Sequence, residues 1–310
     1  MDNYQKGFYS WFGVTARFDP ENRFVASPFI SPVALGIIRI LFALYMTCCI
    51  IIDPILLKKG RRTRRDATKF PGYFTNITFI SLAWYYQLNL TITTSYFWVS
   101  GIYSLIYGLT GISPLRKLPR FLQLLHSIFY STVTTFPFLV TAVFWSLISS
   151  PPHKKAFSTV LLQWTNISFH CLNSVLAFIE LIFSAVTPQK WTHSLVILII
   201  MVFYIAMAYI IHLTANFYVY DFMDSKIIGP LTAAYIFGIG GLGVITFFVV
   251  QMVVWVKFCC CGAGLKESKF DVPRWEDDRN EPIEVSEIEP KQSRYWYGGR
   301  KAGQCVRWLC

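Results

Sequence analysis

No Asp, Glu, Lys or Arg occurs between Tyr73 and Leu115. A soluble core helix is not built from so long an uncharged run, and comparable runs recur at about 32–55, 121–150, 158–186, 192–213 and 230–257. A helix needs roughly 20 mostly apolar residues to cross about 30 Å of hydrocarbon, and these five runs each supply them. Composition agrees, with 54% hydrophobic and 15% charged residues against the soluble average of about 25% charged. The chain is therefore expected to be all-α, a polytopic transmembrane helix bundle of six spans. A seventh would arise if the uncharged run turns back on itself. At about 1.5 Å per residue that run reaches roughly 60 Å, enough for one long helix or two spans, and its best break is Gln87-Leu88-Asn89.

Charge divides the chain into three parts. Residues 1–31 form a polar and aromatic N-terminal segment without the pattern of a cleavable signal peptide, so the first span directs its own insertion. Residues 32–258 form the bundle. Residues 259–310 hold the triplet Cys259, Cys260 and Cys261 and then a charged, proline-containing tail expected to be disordered. That last part is neutral, so the whole net charge of +11 belongs to the loops and ends around the spans, where anionic lipid attracts cations. Short clusters at span ends argue against nucleic acid as the partner. The segment KKGRRTRRDATK at 58–69 is the strongest topogenic signal and marks a cytosolic loop. With the N-terminus outside, an odd number of spans would bring the cysteine triplet into the cytosol, where membrane-proximal thiols are S-acylated.

Ionisable groups inside a bilayer are expensive, so each needs a partner, a cavity or a role. Arg39 is expected to snorkel from the first span. Asp53, His126 and His193 stand close to span ends, where water and headgroups can satisfy them. His170 is mid-span in LLQWTNISFHCLNSVLAFIEL. On a regular helix Asn166, His170, Asn173 and Ser174 share one face, with Glu180 bordering that stripe nearly three turns on. Two more polar stretches are YFTNITFIS at 73–81, with Asn76 and Thr78, and HLTANFYVYDFMD at 212–224, beginning at His212. Hydrogen-bond glue between helices would account for most of these groups.

Chemistry is narrowed by what is missing. There is no G-x-S-x-G elbow, no H-x-x-H or H-E-x-x-H metal pattern and no phosphate loop, so neither cofactor nor metal is expected. Gly238, Gly240, Gly241 and Gly243 in FGIGGLGVI are read as permitting close helix packing. A Thr or Ser hydroxyl with a His on another helix remains available for nucleophilic catalysis.

The stretches NITFIS at 76–81, FPFLVTAVFW at 136–145, Trp164 to His170 leading on to Glu180, and HLTANFYVYDFMD at 212–224 together resemble the androgen-induced protein family. This family of multi-span membrane proteins includes the androgen-dependent tissue-factor-pathway-inhibitor regulator and has fungal members. The resemblance covers roughly 70–258. Animal members are threonine hydrolases of fatty acid esters of hydroxy fatty acids. The resemblance implies Thr78 as nucleophile and His170 as its base, with Asn76, Asn166, Glu180 and His212 as supporting groups, lipid ester as substrate and membrane lipids as surroundings. The sequence departs from the family at Ile167 and Ile211, where histidines stand in the animal members. By default the membrane is that of the endoplasmic reticulum. The competing class is a non-enzymatic carrier or regulator, resembling the rolling-stone-type fusion proteins.

Overall fold

A computed structural model describes residues 7–15, 18–62, 74–148, 160–216 and 218–261. Among the described residues there are six long helices and no strand. They are α1 (Pro32–Arg62), α2 (Phe74–Thr110), α3 (Arg120–Val143, prolonged by a π-turn at Phe144–Ile148), α4, α5 (Thr192–Ala215) and α6 (Leu231–Cys261). Helix α4 has three consecutive pieces: an α-helix at Val160–Asn166, a π-turn at Ile167–Leu172 and an α-helix at Asn173–Phe183. Helices α1, α3, α4, α5 and α6 contain stretches long and apolar enough to cross a membrane. With α2, uncharged throughout, they form an integral membrane bundle.

The uncharged run is one unbroken helix, with no reversal at Gln87-Leu88-Asn89. Its 37 residues extend about 55 Å, well beyond the hydrocarbon. An even number of long helices returns the chain to the side where it began, and the contacts agree. The Lys257 ammonium near the end of α6 donates to the Leu181 and Ser184 carbonyls, neutralising the C-terminal end of α4. Arg23 of the N-terminal segment lies 5.3 Å over the Phe258 ring. Cys259 and Cys260 thus share a side with residues 7–31, across the bundle from the end of α1 that carries the basic loop. A cytosolic basic loop and a cytosolic, S-acylated triplet therefore call for opposite orientations. The 63–73 part of that loop, the side chain of Cys261 and the tail from 262 lie outside the described residues.

Residues 7–31 act as a cap over this side. Lys190 donates to the Ser10 carbonyl, Thr192 to that of Trp11 at 2.7 Å, and the Ala185 amide to that of Ala26 at 3.0 Å. Phe18, Phe24 and Val25 insert into the main apolar cluster, which also takes Ala43, Met46, Tyr96, Phe97, Tyr130 and Val133.

Glycines set the closest seam, between α1 and α2. A Cβ on Gly36 would meet the Gly101 carbonyl oxygen at 2.9 Å, and one on Gly108 the Val33 amide nitrogen at 2.8 Å. The expectation for FGIGGLG needs correction: Gly238, Gly240 and Gly241 face open space, and only Gly243 is packed, against Met201 and Leu139. Close packing went to scattered glycines on two helices, where small residues let backbones approach.

Candidate functional site

Two polar clusters occupy the interior, and they differ in one respect: the charged side chains of the first are bonded to each other, whereas the imidazole of the second has an unpaired nitrogen.

In the first, Arg39 does not snorkel; it is fully buried. Its Nε donates to Glu180 Oε2 at 2.9 Å and its Nη2 to Oε1 at 2.5 Å, a bidentate pair. Its Nη1 donates to the Phe24 carbonyl at 3.0 Å and to Ser104 Oγ at 2.6 Å, and the Tyr96 hydroxyl donates to Glu180 Oε1 at 2.7 Å. The N-terminal cap and helices α1, α2 and α4 are thereby tied at one point. Glu180 is thus held by Arg39 and Tyr96, ten residues from His170 along α4.

The groups expected to meet water at span ends are also buried and held by protein. Asp53 accepts from the Thr165 hydroxyl at 2.7 Å. His193 bonds Ser131 Oγ through Nδ1 at 2.8 Å and the Phe12 carbonyl through Nε2 at 3.1 Å. His126 is enclosed by the rings of Phe24, Tyr96 and Tyr103. The cap and the long α2 helix bury residues that hydropathy assigns to the headgroup zone.

The second cluster surrounds His170. Its ring stacks on Phe144, with centroids 3.8 Å apart and planes 12° from parallel. Both residues belong to π-turns, Phe144 to that ending α3 and His170 to that within α4. Such turns release backbone carbonyls and recur at functional sites. Here the freed His170 carbonyl accepts from the Thr141 hydroxyl, and the single proton of Ser174 Oγ goes either to Thr141 Oγ1 at 2.6 Å or to the Pro137 carbonyl at 2.8 Å. The backbone of His170 is thus pinned to α3 and its ring is oriented by Phe144. Its Nδ1 is buried with no hydrogen-bond partner.

Asn166 ends the α-helical piece just before the π-turn that holds His170, and is partly buried. His212 stands apart at the end of α5, stacked on Tyr218 at 3.7 Å beside a cluster holding Tyr204, Tyr209 and Tyr220. Thr78 and Asn76 fall in the first turns of α2, and their side chains lie outside the described residues.

Helix register gives relative depth. Tyr96 meets Glu180, and α2 and α4 run parallel. Counting back along each at about 1.5 Å per residue puts His170 about 15 Å, Thr91 about 8 Å and Thr78 about 27 Å from that bond. A second anchor uses Trp98 Nε1, which donates to Thr47 Oγ1, together with the Asp53–Thr165 bond. It sets Thr91 level with Thr165, about 8 Å to the other side of His170. The two anchors bracket the depth of His170 around Thr91, whereas Thr78 falls about 12 to 28 Å away. Oγ1 of Thr91 is buried and unpaired. Orphaned buried hydroxyls become visible only once helices are packed; in sequence, Thr91 was one member of a Thr/Ser-rich stretch.

Beside Phe144, the end of α3 and the start of α6 enclose an apolar groove of about 360 Å³ lined by Val143, Leu147, Tyr235, Gly238, Ile239 and Leu242. Among the described residues no three His, Cys, Asp or Glu side chains converge as metal ligands. A hydroxyl, an unpaired imidazole and an apolar groove suit acyl transfer.

A family model described as FAR-17a/AIG1-like protein matches residues 38–254, well over half of the chain and reaching into all six long helices. No curated protein and no solved structure matches.

Proposed function

Because this chain belongs to the FAR-17a/AIG1-like family, we propose that it is an integral membrane hydrolase of lipid esters, of the class of fatty acid esters of hydroxy fatty acids, working in the endoplasmic reticulum membrane. The observation that carries this reading is His170: an imidazole deep in the bundle, fixed by ring stacking and by its backbone, with a free nitrogen. A buried polar atom left unpaired is costly; His126 and His212 share that feature, and His170 differs from them in its mid-span place with the backbone pinned to α3.

The ester enters laterally from the bilayer, with an acyl chain in the groove between α3 and α6. A threonine hydroxyl of α2 attacks the carbonyl carbon while His170 accepts its proton. The tetrahedral intermediate collapses, the imidazolium protonates the departing alkoxide, and the hydroxy fatty acid leaves. Water then attacks the acyl-threonine, giving its proton to the same imidazole, and the free fatty acid is released as the threonine regains its hydrogen.

The resemblance names Thr78 as this threonine. Depth along α2 and an unpaired Oγ1 favour Thr91, while its direction does not: five residues before Tyr96, it points about 140° from the face that meets α4. The test is hydrolysis of such an ester by the purified protein, with fluorophosphonate labelling in parallel. His170→Ala is expected to lower the rate at least about 100-fold. Thr91→Ala should abolish labelling while Thr78→Ala keeps it. The reverse pattern moves the nucleophile to Thr78. Hydrolysis and labelling absent from wild type, or indifferent to all three substitutions, would leave a non-enzymatic carrier or regulator.

A further inference from the structure

Asn173 is 1% exposed, yet neither its Oδ1 nor its Nδ2 has a hydrogen-bond partner. An amide is a strong donor and acceptor, and leaving both ends dry inside a bundle is unfavourable unless a ligand completes them. The residue stands three positions beyond His170, where α4 returns from π-turn to regular α-helix. Within that regular piece Asn173 and Glu180 are seven apart, two turns, and so point the same way, toward the interior between α2 and α4.

Asn89 of α2 carries another unpaired amide nitrogen. It is seven residues before Tyr96, again two turns. Counted from the Tyr96–Glu180 bond Asn89 falls level with Asn173, whereas the Trp98–Thr47 and Asp53–Thr165 bonds set it about 15 Å away in depth, so only Asn173 is tied to the neighbourhood of His170. Long side chains bridge α2 and α4 at the Tyr96–Glu180 level.

We infer that Asn173 is a carbonyl-binding site: its Nδ2 donates to the carbonyl oxygen of an acyl chain whose carbonyl carbon lies beside His170. This deepens the hydrolase reading and rests on it for the reaction, since the oxygen so held is the one that becomes negative on attack. Carbonyl binding itself needs no hydrolysis, so the two can fail separately.

The probes are two non-hydrolysable analogues of the ester, a carboxamide that keeps the carbonyl and an ether that lacks it, bound to the full chain in nanodiscs. Wild type should prefer the carboxamide about tenfold or more, a preference of the size one good hydrogen bond gives. Asn173→Leu should bind both alike, with ether affinity within about twofold of wild type. Asn173→Ser, smaller and still polar, serves as the second variant. Thermal unfolding separates a ligand site from a structural amide: Leu removes two unpaired atoms and should not lower the melting temperature, whereas a structural Asn would be missed. A carboxamide preference that survives Asn173→Leu, or is absent from wild type, overturns the inference. Wild type that hydrolyses no ester but shows the preference, lost in Asn173→Leu, sustains the site and sinks the hydrolase reading. Ester hydrolysis at the wild-type rate by Asn173→Leu does the opposite.

Discussion

Replacing Glu180 by Leu should be among the most damaging single substitutions in the chain. It removes both carboxylate oxygens at a site where Arg39 and Glu180 are each 2% exposed or less. Three donors lose their acceptor: Arg39 Nε, Arg39 Nη2 and the Tyr96 hydroxyl. Breaking a buried pair by removing one partner costs about 3 to 5 kcal/mol, because a charge is left uncompensated. Arg39 would retain the Phe24 carbonyl and Ser104 Oγ, which points to the lower end, about 3 kcal/mol. The double variant Arg39→Met/Glu180→Leu removes the charge as well and should lie within about 1 to 2 kcal/mol of wild type, since apolar replacement of a whole buried pair is often neutral. The assay is equilibrium unfolding in mixed micelles, followed by tryptophan fluorescence, with wild type, both single variants and the double variant closing a cycle. Additive losses would refute the pairing. So would a Glu180→Leu loss below about 1 kcal/mol, the range of an exposed pair.

Two further outcomes follow from the packing. Asp19, outside the spans, accepts from the Arg23 and Phe24 amides, yet burial raises its carboxyl from 3.8 to about 6. A raised folded-state value means the neutral form favours folding, so stability present below pH 3.8 is lost as pH rises through 6, about 1 kcal/mol between pH 5 and 7; unfolding midpoints should show this fall in wild type, and a fall that persists in Asp19→Asn would exclude this carboxyl as its source. Gly36→Ala should destabilise by about 1 to 3 kcal/mol, because its Cβ meets a backbone oxygen, whereas Gly240→Ala should be neutral or stabilising by up to about 1 kcal/mol; equal effects in the same unfolding assay would refute the seam.

Hydropathy alone located the membrane spans, because a length of about 20 apolar residues is a property of local sequence. The fate of the uncharged run was not local. Whether residues 74–110 bend depends on α1 lying along them, and that contact is set by Gly36, Gly101 and Gly108 on two separate helices. Arg39 and Glu180 were visible as costly residues, but 141 positions separate them, and no periodicity links an arginine of one span to a glutamate of another. His170 was legible because it is an imidazole in mid-span. The π-turns that hold it were not: neither ISFHCL nor FWSLI differs in composition from ordinary α-helix.

The two interior clusters also explain each other. A membrane helix gains little by packing apolar side chains against a partner when lipid offers them the same, so polar contacts carry much of the specificity of assembly. The Arg39 cluster does this where the cap meets the bundle, and its guanidinium and the carboxylate of Glu180 are both bonded. Two turns deeper the pattern reverses. Asn89, Thr91, His170 and Asn173 all carry buried atoms without partners, on the same two helices that the first cluster ties together. If the deep groups were also glue, truncating them would weaken the bundle as truncating Glu180 does. If they await a substrate, the well-bonded cluster is the clamp that holds them open, for without it α2 and α4 could shift until the unpaired groups found partners. On that account Glu180→Leu should lower carboxamide affinity although Glu180 touches no ligand. Arg39→Met/Glu180→Leu should recover much of the stability but less of the affinity, since packed aliphatics do not fix the register between α2 and α4 that a bidentate pair fixes. Affinity and stability recovering in step across that cycle would show that the first cluster has no hold on the second.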